Sequence, residues 1–226
     1  MARETEIKLR VESIAGFRMK LRRIGAQTVA PGSGRVHEWN TLYDTAAADL
    51  RGRDQLLRVR AETPTGATGS KGARSKGKKR FLLTFKGPVK GSAGSWAAKR
   101  SASDPRFGGD HKVREEIELE VRDAKALGTI FARLGMRESF HYEKYRTTFR
   151  MPTAARWAKR LLIELDETPI GVFVELEGPA AAIDRAAKLL GYSKEEYVLT
   201  NYLGLHAEKC IGRGEKVGDM VFRKRE

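Results

Sequence analysis

A single cysteine, Cys210, leaves no disulfide to staple a chain of 226 residues, an absence that suits a reducing, cytoplasmic setting. No apolar run approaches the ~18 residues of a membrane-spanning helix. The N-terminus, charged from Arg3 onward, lacks the pattern of a secretory signal. There is no HExxH pair and no Walker loop, and His37, His111, His141 and His206 stand alone, so none is read as a metal ligand. The glycine-spaced run from 212 to 218 follows a helix instead of a strand, which excludes a dinucleotide loop. Acids are also short: 29 Asp and Glu face 44 Lys and Arg, for a net charge of +15. Such an excess first points to an anionic partner, with nucleic acid the general candidate.

What is present is enough for a core. With 40% hydrophobic and 32% charged residues the chain is too apolar to stay disordered. A chain of this length buries roughly 70% of its unfolded surface without disulfide or structural metal. Two-residue alternation predicts strands over 4–11, 56–61, 81–86, 114–121, 142–149, 162–167 and 172–177. Helical spacing follows a Ser13 cap (Ile14, Phe17, Leu21, Ile24, then Gly25) and an Asp123 cap (Leu127, Ile130, Phe131, Leu134, then Gly135). A third helix is expected between Pro179 and Gly191, and a fourth from Ser193, where Glu196 completes a capping box. The class is α+β, dominated by antiparallel strands.

Residues 6–11 fall on 116–121 at an offset of 110, and the caps and closing glycines coincide with them, which suggests a duplicated strand-helix unit. Two stretches, 63–80 and 87–113, read as a basic loop and a long Gly/Ser/Pro-bearing loop, and 211–226 as a flexible basic tail. The loops and the tail from Gly212 carry +11 of the +15. The excess charge therefore sits mostly on appendages.

The strands themselves are unusual in their charged faces. Residues i, i+2 and i+4 share a face, which collects Glu4, Glu6 and Lys8; Arg58 and Arg60; Thr84 and Lys86; Arg114, Glu116, Glu118 and Glu120; Lys144 and Arg146; Glu164 and Asp166; Glu175 and Glu177. Adjacent carboxylates repel unless a cation lies between them. A hard divalent ion with oxygen ligands, Mg²⁺ or Mn²⁺, meets that need, and Mg²⁺ prefers a few carboxylates plus waters and substrate phosphates. Clustered Arg and Lys call for phosphate oxygens in turn. Tyr145, Phe149, Leu165 and Phe173 read as core under the helices, and Cys210 as a buried small residue.

Glu4-Thr5-Glu6-Ile7-Lys8 resembles the E-x-E-x-K signature of the CYTH superfamily, the triphosphate tunnel metalloenzymes. Further blocks follow in that family's order: Leu42-Tyr43-Asp44-Thr45, Leu57-Arg58-Val59-Arg60, Thr84-Phe85-Lys86-Gly87, Arg114-Glu115-Glu116-Ile117-Glu118, Lys144-Tyr145-Arg146, Leu165-Asp166-Glu167 and Phe173-Val174-Glu175-Leu176-Glu177. The resemblance spans about residues 3 to 205 and implies one CYTH domain over 1–210, an eight-stranded antiparallel β-barrel, or triphosphate tunnel, with flanking helices. It implies Glu4, Glu6, Asp166, Glu175 and Glu177 as metal ligands, Glu116 and Glu118 as cavity-lining acids, and Arg58, Arg60, Lys86, Arg114, Lys144 and Arg146 as the triphosphate grip. Lys8 is expected to steer a proton, provided its surroundings lower its pKa.

The activity implied is hydrolysis of inorganic triphosphate, thiamine triphosphate or another organic triphosphate. Cyclisation of ATP by a class IV adenylate cyclase is the alternative on the same cradle. From a different class, the basic loops offer a nucleic-acid-binding module. Aromatics are not interleaved with their charge, and unmetallated acids at Glu4, Glu6, Glu175 and Glu177 would repel phosphate. Dimers are common among the relatives the resemblance points to, so a homodimer is an expectation from the resemblance alone.

Overall fold

Strand β1 (Ala2–Val11) shows the plan on which the chain is built. Its even-numbered Glu4, Glu6 and Lys8 point to one side of the sheet and Ile7 and Leu9 to the other, yet all five are buried. Both faces of the strand are covered, one by a barrel interior and the other by helices. In this computed structural model, residues 2–29, 34–65, 79–90 and 110–223 are described.

Helix α1 (Ile14–Arg23) follows, then β2 (Gln27–Thr28), β3 (Arg35–Thr45), a short α2 (Asp49–Gly52), β4 (Leu56–Pro64), β5 (Arg80–Lys86), β6 (Lys112–Val121) and α3 (Ala124–Arg133). The second half holds β7 (Met136–Arg150), β8 (Leu162–Thr168), β9 (Gly171–Glu177), α4 (Ala180–Leu189) and α5 (Tyr202–Ile211). The strand order β7-β3-β4-β5-β6-β1-β9-β8 closes through a further β7–β8 pairing, and every pairing is antiparallel. That makes a closed eight-stranded barrel, with β2 a two-residue addition on β7.

The apolar core lies outside the barrel. Ile7, Leu9, Ile163, Leu165, Val174 and Leu176, on the outer faces of β1, β8 and β9, pack against Phe17 and Leu21 of α1 and Ile183, Ala186 and Ala187 of α4. The two strand-helix units recur 110 residues apart with matching lengths. Ser13 and Asp123 cap their helices through Gly16 and Ala126 amides, and Gly25 and Gly135 close them at φ of +75° and +78°.

Several expectations change. β3 was not anticipated as a strand. The capping box at Ser193 forms, with Glu196 accepting from the Ser193 amide at 2.8 Å, but it closes only a single 3₁₀ turn, Lys194–Glu196. Val198 then bridges Lys8 through two backbone bonds, an extended conformation that ends the turn; the last helix starts later, under an Asn201 cap. On α3 only Phe131 of the expected stripe is buried, whereas Ile130 and Leu134 are exposed. Phe149 and Leu165 join the helix-covered core. Phe173 shares a face with Glu175 and packs instead on Tyr202, while Tyr145 is half-buried against Arg35 and Phe222.

Of the tail expected to be flexible, residues 218–222 dock on β7 and α5, while 212–217 are exposed. Met220 is 1% exposed and bridges Tyr142, because a stretch of β7 offers it an unpaired edge. Most of the expected basic loop, residues 66–78, and of the long loop, residues 91–109, lies outside the described residues.

Candidate functional site

Alternation places every other residue of the barrel strands inside, and there the interior charges meet. Glu4 accepts from the Lys86 ammonium at 2.6 and 2.7 Å and lies 3.7 Å from Arg114. Glu6 accepts from Lys112 at 2.7 Å, and Lys8 reaches Glu175 at 2.8 Å. Arg146 occupies the middle of the densest group. Its guanidinium forks onto Asp166 with two contacts of 2.7 Å, touches Glu164 and Glu175, and sits 3.7 Å from Glu38. Lys144 adds a 2.8 Å contact to Asp166 and Arg60 a 3.6 Å contact to Glu38.

Of the expected residues, Lys8, Arg58, Arg60, Lys86, Arg114, Lys144 and Arg146 all line one cavity of about 530 Å³, together with Glu6, Glu175 and Glu177. Glu4 is buried behind Lys86. Asp166, expected as a metal ligand, is fully buried, and its oxygens accept from Lys144, Arg146 and the Tyr202 hydroxyl. Glu116 lies 3.3 Å from Lys86. Glu118 is more exposed, accepts from Thr84 and stands 3.8 Å from Arg58.

Sequence reasoning missed Glu38, Asn40, Lys112, Glu164, Tyr142 and Tyr202 as site residues. Glu38 and Asn40 share an inner face with Leu42, at i, i+2 and i+4 of β3. Lys112 falls within the long loop expected over 87–113. The Tyr142 hydroxyl accepts from Arg58 at 3.1 Å. Among the described residues, the side-chain amide of Asn40 and the Nε groups of Arg58, Arg60 and Arg114 are buried without a hydrogen-bond partner. Buried donors left open are characteristic of a site organised for a ligand.

Electrostatics divides the carboxylates into two kinds. Burial alone would raise Glu6 and Glu175, but lysines (Lys112, Lys86 and Lys8 around Glu6; Lys8 and Lys144 around Glu175) hold both below the usual range. Burial also raises Glu164, to about 7, with Asp166 and Glu175 adding repulsion that Arg146 only partly offsets. Glu177 is raised to about 8 by burial and by Glu164, Glu4 and Glu116. Burial works against the charge on Lys8, yet Glu175 and Glu6 outweigh it and its pKa rises. This direction is opposite to the lowering on which a proton-carrying role for Lys8 depends. Lys112 shifts the other way, lowered by burial first and by Arg114 and Lys8.

Glu177 yields a stability prediction. A carboxyl raised from its ordinary 4.5 to about 8 in the fold contributes stability that is present below pH 4.5 and lost as the pH rises through 8. Glu177→Gln should therefore melt several degrees above the wild type at pH 9 in EDTA, at about 2–4 °C per kcal/mol for a chain of this length. The gap should shrink toward pH 5. Melting curves across that range check it, and a gap independent of pH refutes it.

Three comparisons place this geometry among known proteins. A family model described as CYTH domain matches residues 2–200. A candidate adenylate cyclase of Methanocaldococcus jannaschii is 22% identical over 213 residues, covering 89% of this chain and 97% of that protein. The structure of a candidate adenylate cyclase from Vibrio parahaemolyticus superposes with a TM-score of 0.61 at 17% identity, over 89% of this chain and 96% of that one. A Hippeastrum protein, described as a candidate adenylyl cyclase with a dominant triphosphatase activity, superposes with a TM-score of 0.52 at 18% identity, over 94% and 97%.

Proposed function

Since the chain belongs to the CYTH domain family, we propose that it is a metal-dependent enzyme that hydrolyses the phosphate chain of a triphosphate. One observation carries this reading: ten Lys and Arg side chains line a single cavity together with Glu6, Glu164, Glu175 and Glu177. A chain of phosphates is the anion whose charge is spread along a line as these cations are.

The donor set fits Mg²⁺ or Mn²⁺. Glu4, Glu6, Glu175 and Glu177 offer hard oxygen ligands, and the raised Glu177 marks negative potential that the protein leaves uncompensated. Among the described residues no three His, Cys, Asp or Glu side chains form a ready-made centre, so phosphate oxygens and water would complete the coordination. When bound, the cation supplies charge for the phosphate oxygens and orients the attacking water.

The chain's own residues do the rest. Arg58, Arg60, Lys86, Arg114 and Arg146 bind and straighten the phosphates, exchanging part of their carboxylate contacts for phosphate oxygens. Lys8 and Lys144 stay charged beside them and neutralise the leaving oxygens. Asp166 and Glu38 act through the cations they hold, fixing Arg146, Lys144 and Arg60 in place. The conversion of ATP to cyclic AMP and pyrophosphate is the second reading, favoured by Leu42, Leu56, Phe140 and Leu203 on the cavity wall, which would have to hold the nucleoside in one pose.

The test is turnover of inorganic triphosphate, thiamine triphosphate and ATP with Mg²⁺ or Mn²⁺, resolving phosphate, pyrophosphate and cyclic AMP. Glu4→Gln and Glu6→Gln are expected to lose on the order of 10²–10³ in kcat. Retained activity in both, or no metal-dependent turnover of any of the three, sinks the proposal.

A further inference from the structure

The cavity is larger and less uniform than a row of phosphates requires. About 530 Å³ falls within the roughly 300–1,000 Å³ that drug-sized ligands fill. Besides the charged interior residues it is lined by Leu42, Leu56, Phe140, Tyr142, Leu203 and Val217, an apolar wall flanked by Asp44, Arg51, Asp54, Arg137 and Glu138. Most of the wall's side chains belong to an apolar cluster separate from the helix-covered core, tied together by Phe173, Leu205 and Met220.

The barrel alone does not complete this wall. β8 pairs with β7 only along residues 145–149, and the C-terminal segment takes the adjoining edge of β7. The Met220 amide donates to the His141 carbonyl at 2.9 Å, and the Glu143 amide donates to the Met220 carbonyl at 3.0 Å. The His141 amide donates to Asp219 at 2.8 Å, and the Phe222 amide donates to Glu143 at 2.6 Å. His206 of α5 donates to the Gly218 carbonyl at 2.9 Å. Residues 217–222 thus form a strap fastened to β7 and to α5, with Val217 on the cavity wall and Met220 in the cluster behind it. The strap begins beyond residue 200, where the family match stops.

We propose that this strap is a substrate-selecting wall: it completes an apolar mouth that receives the organic group of a triphosphate ester, a nucleoside or comparable flat heterocycle, while the phosphates occupy the charged tunnel. The inference rests on the triphosphate reading above and narrows it from triphosphates in general to those bearing an organic group. Tyr142 suits the junction, with its ring in the apolar cluster and its hydroxyl on Arg58.

The experiment measures kcat and KM of the full chain for ATP, thiamine triphosphate and inorganic triphosphate with Mg²⁺, in the wild type, Met220→Asp and Val217→Trp. Met220→Asp puts a charge into the cluster and releases the strap. Val217 is 45% exposed, so Val217→Trp leaves the fold intact and fills the mouth; it decides alone if Met220→Asp melts below assay temperature. The wild type is expected to prefer an organic triphosphate, and the ratio of kcat/KM, organic over inorganic, should fall at least tenfold in the variants, mainly through KM. A ratio unmoved while turnover persists, or a wild type that prefers inorganic triphosphate, overturns the strap's role and leaves the triphosphate reading standing. A wild type that turns over none of the three overturns both.

Discussion

Arg146→Ala is expected to cut kcat/KM on any triphosphate by on the order of 10³, the loss seen when one well-placed donor to developing charge is removed. The reason lies in how many acids this one guanidinium holds. It forks onto Asp166, touches Glu164 and Glu175 and faces Glu38. All four carboxylates are buried. Without Arg146 they keep Lys144, Arg60 and Lys8 as partners, and Glu164 loses the one cation among the described residues in direct contact with it. Removing one partner from such a buried group costs about 3–5 kcal/mol, or roughly 6–20 °C of melting temperature at this chain length. The two losses can be separated. Arg146→Lys keeps the charge and loses the fork, so it should regain more melting temperature than activity. Activity within fivefold of wild type in Arg146→Ala would reduce Arg146 to packing.

Arg146 also shows what could be read from the sequence. Its place beside Lys144 on a charged face followed from alternation, and so did the barrel, because β1, β4, β5, β6, β8 and β9 each set charge against apolar residues at a period of two. β3 escaped because neither of its faces looks apolar. Inward it carries Glu38 and Asn40, and outward His37, Thr41 and the half-exposed Trp39. α5 was misplaced because local capping chemistry at Ser193 was correct but short: the backbone bridge between Val198 and Lys8 is a tertiary contact with no local signature. The pKa directions were equally out of reach. Lys8 and Lys112 are both buried lysines on interior faces, and only the three-dimensional balance of Glu175 and Glu6 against Arg114 makes one rise and the other fall. The docked strap was hidden by its composition, since glycines and basic residues from 212 onward give no hint that Met220 is buried.

Gly178→Ala should be among the most destabilising single-methyl changes in the chain. Gly178 ends β9 directly after Glu177 and donates its amide to the Thr5 carbonyl at 3.0 Å, so it sets the register that brings Glu177 opposite Glu6. Its φ is +151°, a conformation that side chains rarely adopt and that costs of order 1–3 kcal/mol. A Cβ there would also meet the Arg160 carbonyl oxygen at 2.8 Å and the Leu161 Cα at 3.1 Å. Both are backbone atoms of the segment leading into β8, and Leu161 is wholly buried, so neither can swing aside as a long side chain would. Relief requires β9 to shift against β8, and those two strands carry Glu175, Glu164 and Asp166. The expected loss is about 3–5 kcal/mol, backbone strain plus overpacking, with kcat falling as well because Glu175 moves relative to Lys8. Gly135→Ala is the control: its φ is +78°, and nothing lies within 4 Å of an added Cβ, so it meets backbone strain alone, about 1–2 kcal/mol, with kcat unchanged. Denaturant melts and kcat on both variants decide the matter. Equal losses for the two glycines would mean that the close approach of Arg160 and Leu161 does not constrain the β8–β9 register.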